Sequence, residues 1–149
     1  MFSFRKNAFN LPSGYTLDFK SLPSPESINR LLGKCRQETH PVRKFELALK
    51  KSAFCLSIFD TSKDKLVGFV RATTDKGLNA NLWNLVAEPG DFESVIYEVL
   101  LHNSLMIIKR EMPGCSVSVA APLSALKALQ AEGFIIDPSG IRAMTLKLR

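Results

Sequence analysis

The sequence predicts a single α/β domain built on a mixed, mostly antiparallel sheet with one parallel strand pair and helices on both faces. Three observations lead there. Apolar residues make up 46% of the 149 positions, enough to fill one core without a disulfide or metal, since a chain this long buries roughly two-thirds of its unfolded surface. Three β-rich runs in the middle of the chain are joined by short polar turns, the pattern of an antiparallel meander. A long helical stripe then separates two strand-like runs, and strand–helix–strand is the crossover that makes neighbouring strands parallel.

Residues 1–13 read as a lead-in and residues 14–149 as the domain. Tyr15, Leu17 and Phe19 alternate with Thr16, Asp18 and Lys20, the period of a half-buried strand. Ser24 before Pro25 is a helix N-cap followed by proline at the first position, and Ile28, Leu31 and Leu32 supply the stripe. Residues 37–42 form a loop broken at His40-Pro41. A second helix follows, with Phe45, Leu47, Ala48 and Leu49 set among Arg43, Lys44, Lys50 and Lys51.

Residues 54–59, 66–72 and 80–86 are the meander strands, separated by the polar turn 60–65 and by Asp75-Lys76-Gly77. Pro89-Gly90 ends the third of them, and Asp91 is placed to cap a helix from about Phe92 to Met112. Phe92, Val95, Ile96, Val99 and Leu100 lie at i, i+3, i+4, i+7 and i+8, one face of that helix. Pro113-Gly114 stops it. Residues 116–120 make the parallel strand, 123–132 a helix ended by Gly133, and Met144, Leu146 and Leu148 mark one face of a closing strand.

Three cysteines, Cys35, Cys55 and Cys115, are too few and too scattered for a disulfide framework or a cysteine zinc site, and no metal is expected. Their use fits a reducing, cytoplasmic setting. The first ten residues carry Arg5 and Lys6 without an apolar stretch of signal-peptide length. The long helix contains Glu98, His102 and Asn103, which argues against a membrane span. A net charge of +6 favours anionic partners, but the basic residues are dispersed without interleaved aromatics, so nucleic acid is not the expected partner.

Three local patterns, in order along this element string, give the chain a family resemblance. They are Leu66-Val67-Gly68-Phe69, the run from Leu82-Trp83-Asn84-Leu85 to Pro89, and Gly133-Phe134 followed by Asp137-Pro138-Ser139-Gly140 and Met144. With them the chain resembles the GNAT superfamily of acyl-CoA-dependent N-acyltransferases, nearest its cyanobacterial and plastid branch. The resemblance implies acetyl transfer from acetyl-CoA to an amine, either a small molecule or a protein amino group, and the family's habit of pairing implies a homodimer. It implies cofactor contacts from the backbone of Leu85, Val86 and Ala87 and from the turn and helix start at Gly90, Asp91, Phe92, Glu93 and Ser94. Glycine-rich turns serve phosphates because backbone N–H groups can approach closely and the helix N-terminus adds positive potential.

Here the family's basic residue and glycines fall at Phe92, Glu93, Val95 and Tyr97, its asparagine at Pro122 and its acid tyrosine at Leu129. Glu88 is then the strand-end candidate for general base, and Tyr97 the candidate to replace the missing acid. His40 lies where such proteins shape the acceptor pocket, and Trp83 reads as a core residue. The alternative carried by these departures is a catalytically silent GNAT-fold module that binds a ligand or a protein.

Overall fold

A computed structural model describes residues 10–148 except 138, 141 and 142, so the first nine residues of the expected lead-in lie outside the described residues. The elements run β1 (Tyr15–Asp18), α1 (Pro25–Lys34), α2 (Val42–Lys51), β2 (Phe54–Asp60), β3 (Lys65–Thr74), β4 (Asn79–Ala87), α3 (Glu93–Glu111), β5 (Ser116–Val119), a 3-10 turn (Leu123–Ala125) and α4 (Leu126–Ala131). The strands lie in the order β1-β2-β3-β4-β5, antiparallel up to β4, with β5 parallel to β4. The expected mixed sheet and crossover are both present.

Local chemistry explains the boundaries. Strand β1 stops at Asp18, whose Oδ1 accepts from the Lys20 N–H at 2.8 Å and turns the chain away two residues before the alternation ends. The Ser24 hydroxyl accepts from the Ser27 N–H at 3.1 Å and caps α1. Asp75 Oδ1 accepts from the N–H groups of Gly77, Leu78 and Asn79, which closes the β3–β4 hairpin. Asp91, by contrast, does not cap α3. The N-cap is Phe92, with no side-chain bond to the helix.

Helices cover both faces of the sheet. Ile28, Leu31 and Leu32 of α1 and Phe45 and Leu49 of α2 pack on Cys55, Leu66, Phe69 and Val86. The opposite face buries Ile96, Val99, Leu100 and Ile108 of α3 and Ala128 and Leu129 of α4 on Leu56, Ile58, Val70, Leu82 and Leu85. Each such side chain contributes about 1.5–3 kcal/mol. Gly68 sets how closely α3 approaches, because a Cβ there would lie 2.5 Å from Ile96 Cγ2.

Two expectations are corrected. Met144, Leu146 and Leu148 do not form a strand; residues 143–148 belong to no helix or strand, and the three residues are 93%, 84% and 87% exposed. Alternation makes a strand only where another strand supplies partners, and β5 is four residues long. Trp83 is not core. It is 40% exposed, with its indole N–H donating to Thr73 Oγ1 at 2.8 Å. No helix of the described residues is long and apolar enough to cross a membrane.

Candidate active site

Strand β4 outlasts its neighbour. The last β5 partner of β4 is Leu82, paired with Val119, while β4 continues to Ala87. Along that uncovered stretch the sheet opens into a groove of about 600 Å³, lined by Cys35, Arg36 and Gln37 after α1 and by Ala120–Ser124 before α4. The groove exists because the parallel pair separates while β3 holds the other edge of β4, pairing Val86 with Phe69 and Ala87 with Gly68.

Of the three residues expected to offer backbone contacts, Leu85 and Ala87 turn their carbonyls away from β3 and Val86 does not. Gln37 Nε2 donates to the Leu85 carbonyl at 3.3 Å, and the Cys35 thiol to the Ala87 carbonyl at 3.2 Å, so these two carbonyls are covered by residues that line the groove. Alternation along the strand turns the Val86 backbone the other way, towards Phe69. Burial, with Glu93 nearby, pushes the Cys35 thiol up to about 11, so it stays protonated and donates.

The helix-start residues divide. Gly90 takes φ +145°, a conformation that favours glycine, and the Glu93 N–H bonds its carbonyl at 3.3 Å. Phe92 turns its ring edge-on to Tyr15, centroids 5.4 Å apart, instead of folding over the helix end. The first-turn N–H groups of Ser94 and Val95 precede any intrahelical acceptor, and no side chain caps them. They present backbone donors to an anion. Glu93 works against one, since its charge is felt by both Cys35 and Tyr97. Asp91 and Ser94 are exposed.

Tyr97 is fully buried, and its phenol lies 2.9 Å from the Ser124 hydroxyl, on the rim of the groove. Burial raises its pKa, against the lowering effect of Ser124 and the Ala87 backbone, which keeps the phenol protonated. Glu88 is bound by Lys34 at 3.2 Å and by Lys65. Burial opposes its ionisation, but the bonds to Lys65 and Lys34 win and lower its pKa. The carboxylate is therefore occupied by two cations.

The third cluster lies across β4. Asn84 has φ +54°, at the point where the β3–β4 register shifts between Phe69 and Arg71. Its Oδ1 accepts from Arg71 Nε at 2.6 Å, which leaves Nδ2 facing His40 Nε2 at 3.0 Å. The amide therefore donates to His40, and the imidazole carries its proton on Nδ1. Asn29 fixes the His40 backbone from both sides, at 2.8 Å to its carbonyl and 3.0 Å from its N–H, and Phe45 packs edge-on against the ring. Burial lowers the His40 pKa. Arg71 and Lys147 lower it further, and Glu38, itself paired with Lys147, acts the other way. His40 is thus a neutral imidazole at pH 7.

Sequence reasoning singled out Tyr97, Glu88 and His40 but missed the partners that give them meaning. Asn84 carried a signal, because asparagine is disfavoured inside a strand and tolerates positive φ. Arg71 and Ser124 carried none. Among the described residues no cluster of His, Cys, Asp and Glu is suited to a metal ion.

No family sequence model matches the chain. It is 33% identical over 107 residues to the uncharacterized N-acetyltransferase ycf52 of Pyropia yezoensis, covering 70% of this chain and 60% of that protein. A histone acetyltransferase of Glycine max is 25% identical over 126 residues, 78% of this chain and 54% of its own length. The chain thus spans little more than half the length of these two relatives. A probable acetyltransferase of methicillin-resistant Staphylococcus aureus superposes with a TM-score of 0.79 at 19% identity, over 90% of this chain and 99% of the other. A GNAT-family acetyltransferase of Streptococcus pneumoniae gives 0.70 at 18%, over 91% and 98%.

Proposed function

We propose that this chain, whose fold and sequence resemble those of GNAT-type proteins, is an N-acetyltransferase moving an acetyl group from acetyl-CoA to an amine. The observation that carries this reading is the open β4 edge, with a protonated phenol on one side of the strand and a neutral imidazole on the other.

Acetyl-CoA supplies an activated thioester. Its fit is partial: the groove volume, the edge carbonyls of Leu85 and Ala87 and the uncapped first turn of α3 suit it, while Glu93 weakens the phosphate end. Gln37 and Cys35 hold the two carbonyls and give way when the pantetheine arm needs them. His40 Nε2 takes the proton from the attacking amine once the acceptor displaces the Asn84 amide from its lone pair. As the new N–C bond forms and the C–S bond breaks, Tyr97 delivers its phenolic proton to the departing sulfur, and the Ser124 hydroxyl holds the phenol in place. Glu88 has a structural role between two lysines. Three free thiols among the described residues suit a reducing compartment.

Thermal unfolding with and without about 1 mM acetyl-CoA tests the reading, since a ligand bound to the native state raises the midpoint. A rise of a few degrees supports it. An unchanged midpoint in a well-folded protein overturns it in favour of a silent GNAT-fold module.

A further inference from the structure

Among the described residues Arg71 is a cation without a counter-ion. It is partly buried on β3, and no ion pair among the described residues includes it. Cations removed from water are ordinarily matched by an anion, because desolvation is costly and a carboxylate offsets it. The neighbour opposite it on β2 is Cys55, a buried thiol pushed up to about 11 by desolvation and therefore uncharged. The bond from Nε to Asn84 Oδ1 satisfies one donor of the guanidinium and fixes its plane. Among the described residues no side chain or carbonyl accepts from its two Nη groups.

The place is specific. Asn84 binds Arg71 through its oxygen and His40 through its nitrogen, so a cation and a neutral base are separated by a single side-chain amide. An α-amino acid has the same arrangement, a carboxylate and an amine a few bonds apart. Trp83, 40% exposed, lies opposite Arg71 in the β3–β4 register, an apolar surface beside the charge.

We propose that the acceptor is a small amine bearing a carboxylate next to its amino group, with the Arg71 guanidinium holding the carboxylate while His40 faces the amine. The inference rests on the acetyltransferase reading for the transfer step, but the binding step is independent of it. A guanidinium takes a carboxylate with two parallel N–H···O bonds, which an ammonium or an amide does not reproduce. The proposal disfavours polyamines and lysine side chains of proteins, which carry no carboxylate beside the amine.

Trp83 is the single tryptophan of the chain and reports on this position. Its fluorescence is titrated with a panel of free amino acids and their carboxamides, without acetyl-CoA, for the wild type, Arg71→Lys and Arg71→Gln. Expected is a saturable change with at least one amino acid, weakened about 10- to 100-fold for its carboxamide and in Arg71→Gln, with Arg71→Lys between. Radiolabelled acetyl transfer on the same panel should show that preference in kcat/KM. Arg71→Gln should lower the amino-acid rate selectively and keep the acetyl-CoA thermal shift. Equal use of acids and carboxamides, or equal losses on both in Arg71→Gln, would reduce Arg71 to a positioning residue for Asn84 and overturn the proposal. Silence of the fluorescence across the whole panel also overturns it. Amino-acid binding without any acetyl-CoA shift would instead retain the anion site and remove the acetyltransferase reading.

Discussion

His40 and Asn84, 44 residues apart in sequence, meet at 3.0 Å across the loop after α1 and the bulge of β4. The contact is held from both ends. Arg71 orients the amide, and Asn29 clamps the His40 backbone. A histidine so fixed, and kept neutral, is poised to accept a proton.

Replacing His40 with glutamine keeps a polar side chain near Asn84 but removes the base. Acetyl transfer should fall about 10²- to 10⁴-fold in kcat, the usual worth of general base catalysis, with the acetyl-CoA thermal shift preserved. A loss under threefold would remove His40 from the mechanism.

The pH profile follows from the direction of the His40 shift. Burial and two nearby cations hold its pKa below the ordinary 6.5, so the active neutral form persists below that pH. The acid limb of kcat/KM should therefore fall below pH 6.5. The unfolded chain takes up this proton near 6.5 while the folded chain resists it. Stability should decline as the pH drops from about 6.5 through the folded pKa. An acid limb above 6.5 would contradict the assignment.

Asn84→Gly and Asn84→Ala separate backbone from side chain. Both lose the bridge between Arg71 and His40. Glycine accepts φ +54° without strain, whereas alanine adds about 1–2 kcal/mol of left-handed strain. Chemical denaturation should rank the glycine variant as the more stable, and both should be slow enzymes.

Tyr97→Phe tests the proposed acid. The ring is fully buried and the hydroxyl is bonded only at its tip, so the variant should fold. A drop in kcat of about 10- to 100-fold with an unchanged KM for acetyl-CoA is expected. Glu88→Gln is the matching control. Its carboxylate is bound by Lys34 and Lys65 near the surface, and transfer should stay within about threefold of the wild type, with a stability cost under about 1 kcal/mol.

Glu93 opposes phosphate at the start of α3. Glu93→Gln should tighten acetyl-CoA binding by about two- to fivefold, while losing roughly 0.3–1 kcal/mol of favourable interaction with the helix dipole. Calorimetric binding and thermal unfolding read the two effects separately. Weaker binding in the variant would place the phosphates elsewhere.

The sequence alone determined the order of elements from β1 to α4, the crossover that makes β4 and β5 parallel, and most of the apolar faces of α1, α2 and α3, although Leu47 and Phe92, expected on those faces, are exposed. These follow from periodicities and turn residues confined to short windows. It also marked the β4 edge and the start of α3 as the region of interest, and His40, Glu88 and Tyr97 as titratable candidates there. Tertiary structure decided the rest. Whether Met144, Leu146 and Leu148 become a strand depends on a partner, and alternation cannot supply one. Whether Trp83 is core depends on which elements pack over its face of the sheet, and it is 40% exposed. Glu88 became an ion-paired carboxylate because Lys34 and Lys65 approach from other elements. Tyr97 met Ser124 because α3 and the turn before α4 come together on one side of β4, and His40 met Asn84, itself bound by Arg71, because β3 and the loop after α1 come together on the other. Periodicity reports which face of an element is buried. It carries no record of what waits on that face, so side-chain partners from distant segments emerge only when the chain is folded.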